Sequence, residues 1–218
     1  MNTPNQTAAN LLEELEYLYE HYSNEPRATT QPYYLKMIKE QFPSYQYNPE
    51  DPAVRESLLE HVGSLPMVAI SFYPHINDAE ADLGGALVML AIHDIGELAT
   101  GDENTFTKRE DKKRAEQTAA LKLLHPGYHA AYRKVESQAG ATAKFAKAID
   151  KITPDILDYL TPADITITRL KHFVGVGADD IVPLIVKYKR PYMLWNPFMT
   201  EFHILLMAKL AAKLKRTT

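Results

Sequence analysis

Hydrophobic residues recur at three- and four-residue intervals along most of the chain, which is the spacing of amphipathic helices. Leu11, Leu12, Leu15, Leu18 and Tyr22 follow this spacing and predict a first helix. The same pattern predicts further helices over residues 33–41, 79–99, 108–124, 128–138, 142–152, 181–189 and 198–215. The sequence therefore predicts an all-α protein.

Prolines mark the expected helix starts. Asp51-Pro52, Thr153-Pro154 and Thr161-Pro162 each have the form of an N-cap followed by proline at the first helical position. The helix that starts after Asp51 is expected to kink or restart at Pro66, because proline cannot donate the helical hydrogen bond. Thr107 and Glu110 have the spacing of a capping box and place another start near Lys108.

Two segments depart from the helical pattern. Residues 24–32 (NEPRATTQP) are polar and carry two prolines, which predicts a loop. Residues 165–170 (ITITRL) are rich in β-branched side chains, which predicts a short strand. The chain shows no internal repeat, low-complexity tract or long linker.

Composition restricts the kind of protein further. The 218 residues are 45% hydrophobic, which is enough for a substantial core. The absence of cysteine excludes disulfides, zinc–thiolate sites and cysteine nucleophiles. The net charge of −4 gives no reason to expect a nucleic-acid partner. No secretory signal or membrane-length apolar run is evident, so we expect a cytoplasmic protein without a membrane partner.

The segment LAIHDIGELATGD (residues 90–102) combines apolar helical residues with a concentrated polar cluster. Glu97 follows His93 by four residues and Asp94 by three, so the three side chains are expected on one side of the helix end. Two carboxylates this close are costly to bury without a counter-charge. A divalent cation would remove that cost.

A histidine and an aspartate elsewhere complete a possible ligand set. His61 lies 32 residues before His93, and Asp150 lies 56 residues after Asp94 beside the apolar stripe of the helix KFAKAIDKI. Two histidines and two aspartates are ligands that suit Mn, Co, Fe or Zn. His75, in the turn YPHIND, is an alternative to His61 as the first ligand.

The motifs ESLLEH (56–61), LAIHDIGELATGD, the start of the helix KREDKKRAE and ATAKFAKAIDKI (141–152) together resemble the HD-domain metal-dependent phosphohydrolases, and most closely the 5′-deoxynucleotidase branch. The resemblance implies a helical bundle around one divalent metal ion (Mn, Co, Fe, Zn or Mg). It implies His61, His93, Asp94 and Asp150 as metal ligands and Glu97 and Asp102 as catalytic carboxylates. Arg55 is the nearest match to an arginine that contacts the substrate phosphate in that branch.

The resemblance also implies an organisation and an activity. Residues 51–160 would form the metal-binding core, with residues 1–50 and 161–218 as helical extensions packed into one compact domain. The expected reaction is hydrolysis of a phosphomonoester, with a nucleoside 5′-monophosphate as substrate. The family leads us to expect a homodimer.

Two other functions stay open at this point. His125 and His129 lie between the HD pair and the last aspartate, where some HD proteins place histidines for a second metal and a di-iron oxygenase activity. Pro126 and Gly127 interrupt the helix that would align these two histidines. The chain would otherwise be a metal-binding scaffold without turnover, although such a scaffold has no need for Glu97 and Asp102.

Overall fold

The structure is a computed structural model that describes residues 4–103, 106–107 and 109–216. Its elements are α1 (Pro4–Asn24), β1 (Pro26–Thr30), α2 (Pro32–Gln41), β2 (Arg55–Ser57), α3 (Leu58–Phe72), α4 (Leu83–Ile92), α5 (Glu97–Thr100), α6 (Glu110–Leu123), α7 (His129–Ser137), α8 (Ala141–Leu160), α9 (Ala163–Val174), α10 (Ala178–Lys189) and α11 (Pro197–Lys215). The all-α prediction is confirmed, with one small sheet added.

Helix α8 is the centre of the bundle. It packs against α3, α4, α7 and α11. The apolar side of α8, with Phe145, Ile149 and Ile152, is fully buried, and Asp150 is buried beside it. The main hydrophobic cluster extends from Leu65 in α3 to Leu214 in α11, so the helices after residue 160 share one core with the helices before it.

The prediction of a loop over residues 24–32 is wrong. Residues Pro26–Thr30 form β1, which pairs antiparallel with β2 (Pro26 opposite Ser57, Thr30 opposite Arg55). The prediction of a long helix that starts at Asp51-Pro52 is also wrong, because only one turn forms there. Asp51 caps a single 3₁₀ turn at Pro52–Val54, and the chain then extends into β2.

Helix α3 begins at Ser57, whose side chain accepts from the Glu60 amide while the Glu60 carboxylate accepts from the Ser57 amide. This capping box places the helix start after Arg55, and α3 continues through Pro66 without the predicted restart. Helix α8 likewise continues through Pro154, because the Thr153 hydroxyl donates to the Ile149 carbonyl inside the helix instead of capping a new one.

Two further expectations need correction, and a third cannot be compared at its first residue. Residues 165–170 belong to helix α9 and not to a strand, and α9 follows Pro162 without a Thr161 cap. Thr161 instead donates its hydroxyl to the Leu157 carbonyl at the end of α8. Helix α6 begins at Glu110 with Arg109 at its N-cap and no side-chain cap there; the expected start at Lys108 lies outside the described residues.

The segment Leu83–Thr100 is apolar enough, by length and composition alone, to cross a membrane. In the structure this segment is not one helix: α4 ends at Ile92, and a turn joins it to α5. Leu90 and Met89 are buried in the main hydrophobic cluster, which accounts for the apolar composition of α4.

Gly96, in the turn before α5, allows α5 and α6 to approach closely. A Cβ atom at this position would lie 2.3 Å from the Glu116 carbonyl oxygen, which belongs to the α6 backbone. We therefore expect Gly96→Ala to lower the free energy of unfolding by about 1–3 kcal/mol, measured by urea denaturation.

Gly63 in α3 is the matched control, because a Cβ atom there meets nothing within 4 Å. Gly63→Ala should leave the free energy of unfolding unchanged or raise it by up to about 1 kcal/mol. Equal effects of the two substitutions would contradict the packing argument.

Candidate metal centre

Three parts of the bundle bring the four predicted ligands together. His61 comes from α3, His93 and Asp94 from the turn after α4, and Asp150 from α8. One ligand atom from each side chain lies within 4.8 Å of the others. All but the partly buried Asp94 are fully buried.

The donor atoms converge from opposite sides. His61 Nε2 lies 3.7 Å from Asp94 Oδ2 and 3.5 Å from Asp150 Oδ1. His93 Nε2 lies 3.0 Å and 3.4 Å from the same two oxygens. Both Nε2 atoms are buried without a hydrogen bond of normal geometry. Two such imidazole nitrogens facing two carboxylate oxygens fit a divalent cation of the first transition row or zinc.

The charged groups of the cluster shift one another's pKa values. Burial lowers the pKa of His93, but Asp94 and Asp150 outweigh burial and raise it to about 10. Burial raises the pKa of Asp94, whereas His93 and Arg27 lower it overall to below its usual range. The two carboxylates thus favour a proton on His93 when no metal ion is bound, and a metal ion that binds His93 must displace that proton.

The turn after α4 determines how His93 and Asp94 are presented. His93 Nδ1 lies 2.8 Å from the Leu90 carbonyl oxygen, so this nitrogen is engaged by the backbone and Nε2 faces the ligand cluster. The amides of Ile95, Glu97 and Leu98 then bond three residues back, as in a 3₁₀ turn. This tight turn ends α4 before residue 99, where the predicted helix would have ended. It also brings the carboxylates of Asp94 and Glu97 to the same guanidinium group, that of Arg27.

Arg27, in β1, contacts the candidate centre and was not singled out by the sequence pattern. Its Nη1 lies 3.0 Å from Asp94 Oδ2, 3.3 Å from Glu97 Oε2 and 3.7 Å from Asp102 Oδ1. Burial lowers the pKa of Arg27, but these carboxylates outweigh burial and raise it above its usual value. Arg27 therefore joins a metal ligand to the two predicted catalytic carboxylates.

Glu56 is a buried carboxylate that lies next to both His61 and Arg27. Its carboxylate is 1% exposed, and its Oε2 lies 3.6 Å from His61 Nδ1 and 3.8 Å from Arg27 Nε. A carboxylate next to the outer nitrogen of a metal-binding histidine selects the tautomer and orients the ring. Glu56 is thus placed to direct His61 Nε2 toward the ligand cluster and to fix the position of Arg27.

We expect Glu56→Gln to weaken metal binding by about 10–100-fold, because the amide no longer supplies the charge that orients His61. Isothermal titration of the metal-free protein with Mn²⁺ or Co²⁺ measures this effect directly. Glu80→Gln is the matched control, since Glu80 is exposed in the connection between α3 and α4. Unchanged affinity in the Glu56 variant would rule out this supporting role.

A cleft of about 200 Å³ opens beside the cluster. Glu97 and Asp102 line it together with His93, Asp94 and Asp150. Lys147 and Lys151 line the other side and lie 3.5 Å and 3.1 Å from Asp150 Oδ2. Burial raises the pKa of Asp150, but these lysines and His93 outweigh burial and lower it well below its usual value, which favours the carboxylate form.

Comparisons with known proteins identify the family and the fold. A family comparison matches residues 46–179 to the HD domain. The chain belongs to the HD domain family. It is also similar in fold to a crystal structure described as a predicted metal-dependent phosphohydrolase from Magnetospirillum magnetotacticum MS-1. The two are 22% identical with a TM-score of 0.62, over 93% of this chain and 96% of that chain. No curated protein matches this chain.

Arg55, the predicted phosphate contact, is not among the residues that line the cleft of this HD domain. Its Nε and Nη2 donate to the backbone carbonyls of Arg27 and Pro26, and its Nη1 lies 3.5 Å from Glu50. Its guanidinium also lies over the Phe173 ring. Arg55 thus bonds to the backbone of β1, whereas Arg27 lines the cleft.

The alternative histidines lie elsewhere in the HD domain. His75 is exposed and stacks on Phe198, 4.7 Å between ring centroids, whereas His61 is in the cluster. His125 accepts from the Gly127 amide, and His129 Nε2 lies 3.0 Å from the Leu124 carbonyl. Among the described residues, neither His125 nor His129 joins the group that can hold a metal ion.

Proposed function

We propose that this HD-domain protein is a metal-dependent phosphohydrolase that releases phosphate from a nucleoside 5′-monophosphate. The observation that carries the proposal is the contact of one partly buried arginine with a predicted metal ligand and with two further carboxylates at the cleft. Arg27 meets Asp94, Glu97 and Asp102 within 3.7 Å. The structural neighbour described as a predicted metal-dependent phosphohydrolase supports the reaction class, and the motif resemblance supports the nucleotide.

Each group has a role in this proposal. His61, His93, Asp94 and Asp150 hold one divalent ion. When bound, such an ion lowers the pKa of a coordinated water and polarises a phosphoryl oxygen. Arg27 supplies fixed positive charge for an anionic oxygen of the substrate. Glu97 or Asp102 orients the attacking water and accepts its proton, and the other can protonate the leaving oxygen.

A phosphate-release screen tests the proposal. Nucleoside 5′-monophosphates, 3′-monophosphates, a simple aryl phosphate and a phosphodiester are each incubated with the protein and one divalent metal at a time. We expect release from the 5′-monophosphates and none from the diester. Stoichiometric metal without release from any compound would favour a scaffold. Two metals per chain with oxygen consumption would favour the oxygenase.

We expect Glu97→Gln to keep its metal and to lose phosphate release by about 10²–10⁴-fold, because the amide cannot transfer a proton. Metal content is measured on the same preparation by elemental analysis. Glu110→Gln is the matched control, because Glu110 also lines the cleft but is exposed at the start of α6. Full activity in the Glu97 variant would leave Asp102 as the remaining candidate for proton transfer.

A further inference from the structure

The one-turn helix α5 joins the two predicted catalytic carboxylates. Glu97 is its first residue, and Asp102 lies two residues beyond its last residue, Thr100. Both carboxylates reach Arg27, at 3.3 Å and 3.7 Å from its Nη1. An isolated helix of this length is not stable in water, because one turn fixes several residues for few hydrogen bonds. Contacts with the rest of the chain must therefore hold Asp102 in place.

The backbone turns sharply between α5 and Asp102. Gly101 has a φ of +76°, a conformation that favours glycine, and its amide donates to the Glu97 carbonyl at the end of α5. The chain leaves the helix at this point, so the next amide, that of Asp102, lies beyond the helical hydrogen bonds. The position of Asp102 depends on an acceptor from elsewhere in the chain.

Glu25 supplies that acceptor. Its Oε1 lies 2.8 Å from the Asp102 amide nitrogen, although the two residues are 77 positions apart. A carboxylate that accepts from a backbone N–H makes a charge-assisted hydrogen bond, which is stronger than one between neutral groups. On the other side of the turn, the Lys112 ammonium of α6 donates to the Thr100 carbonyl. Glu25 and Lys112 thus hold the two peptide groups that flank Gly101.

The main chain of Glu25 is bonded independently of its side chain. Its N–H donates to the His21 carbonyl of α1, and its carbonyl accepts from the Leu58 amide at the start of α3. These bonds fix the position of Glu25 directly before β1, the strand that carries Arg27. They do not involve the carboxylate, so substitution of Glu25 removes the bond to Asp102 and leaves this part of the backbone anchored.

We propose that Glu25 is a positioning residue for Asp102, which it holds by the backbone amide while Arg27 holds the carboxylate. The proposal rests on the proposed function, in which Asp102 takes part in proton transfer. A reacting side chain has to be held within about 0.5 Å of its productive position by groups that are themselves fixed. Glu25 and Arg27 meet this need together, because they lie two residues apart and contact Asp102 at two points.

Glu25 acts on the turn and not in the cleft. In the part of the chain that the structure describes, it lies outside both the lining of the cleft and the group of four metal-ligand atoms. Substitution of Glu25 should therefore leave the binding of metal and substrate unchanged. Its effect should fall on the rate of the chemical step.

Steady-state phosphate release from a nucleoside 5′-monophosphate separates positioning from binding. We expect Glu25→Ala to lower kcat by about 10–100-fold with KM and metal content unchanged, because misplacement of a reacting group slows the chemical step. Glu25→Gln should recover most of the kcat, since its amide oxygen can also accept from the Asp102 N–H. Glu20→Ala, at an exposed position of α1, is the matched control and should equal wild type.

A double substitution tests whether Glu25 acts through Asp102. Asp102→Asn keeps the backbone amide but removes the group that transfers a proton, so it should lower kcat by itself. Adding Glu25→Ala to Asp102→Asn should then cause no further loss, because the two residues act as a unit. Losses that multiply would overturn the proposal. So would a full kcat in Asp102→Asn, since there would be no reacting group to position.

Hydrogen exchange tests the contact without any reaction. We expect Glu25→Ala to speed exchange of the Asp102 amide by about 10–100-fold, as suits the loss of a hydrogen bond to a charged group, and Glu25→Gln to change it far less. NMR spectroscopy of the isotope-labelled protein measures this rate. The Leu124 amide, which donates to the Ala120 carbonyl, is the internal control.

The exchange rate also separates this proposal from the proposed function. Unchanged exchange of the Asp102 amide in Glu25→Ala would overturn the role of Glu25, whatever the activity of the wild type. A wild type that releases no phosphate from any compound would instead overturn the proposed function. Faster exchange in Glu25→Ala would then still support Glu25 as the residue that holds Asp102.

Discussion

We expect His93→Ala and Asp94→Ala to lose metal binding and phosphate release together. Each substitution removes a donor from the group of four atoms that lie within 4.8 Å of one another. The loss of metal affinity should exceed the 10–100-fold that removal of a supporting residue costs, because a ligand itself is gone. Metal content after gel filtration and phosphate release on the same sample measure the two losses.

His75→Ala is the matched control for this prediction. His75 is the histidine that the sequence leaves as an alternative ligand, and the structure places it on the surface against Phe198. We expect this variant to retain its metal and its activity. Loss of metal in His75→Ala with retention in His93→Ala would contradict the assignment of the centre.

Replacing Arg27 should produce the largest change in stability. Arg27→Ala leaves Glu56, Asp94, Glu97 and Asp102 without the buried cation that they share. Removing one partner of a buried ion-pair network costs about 3–5 kcal/mol of the free energy of unfolding. Urea denaturation of the metal-free protein at neutral pH measures this cost.

The cause of that loss can be tested by pH and by metal. The uncompensated carboxylates take up protons as the pH falls, so the difference between Arg27→Ala and wild type should shrink toward pH 4–5. A bound divalent cation should reduce the difference as well, because it replaces part of the missing charge. Arg133→Ala, at an exposed position of α7, should change the free energy of unfolding by less than about 0.5 kcal/mol. A pH-independent loss in Arg27→Ala would indicate lost packing instead of lost charge.

Arg27→Lys separates charge from shape. Lysine keeps the positive charge but lacks the planar fork that reaches several oxygens at once. We expect Arg27→Lys to recover most of the stability and little of the phosphate release. This pattern would show that the geometry of the guanidinium matters for the reaction.

The sequence could single out the four predicted ligands, which the structure brings within 4.8 Å of one another, because each lies in a short, recognisable motif. His93 and Asp94 are adjacent, and Glu97 follows within one turn. His61 and Asp150 sit in helical segments whose apolar positions identify the buried side. Local spacing is therefore enough to choose these residues, although it did not show that α4 ends at Ile92.

The small sheet, the helical state of residues 165–170 and the continuation of α8 through Pro154 could not be predicted from local spacing. Residues 26–30 have no alternating pattern, and they are extended because β2 pairs with them. Residues 165–170 have strand-forming side chains but lie in a helix that packs on the core, since tertiary packing outweighs local preference. Pro154 does not end α8, because both halves of that helix are buried in the core.

Periodicity along the chain was enough to predict the helical class, and motif spacing was enough to predict which residues gather as a candidate metal centre, because both are local properties. Only the tertiary structure decided that Arg27, and not Arg55, reaches the carboxylates, since this depends on a strand pairing across 28 residues. It also decided that Glu25 reaches the Asp102 amide, 77 positions away in the chain. Which distant elements meet depends on the packing of the whole bundle, and helical spacing alone does not contain that information.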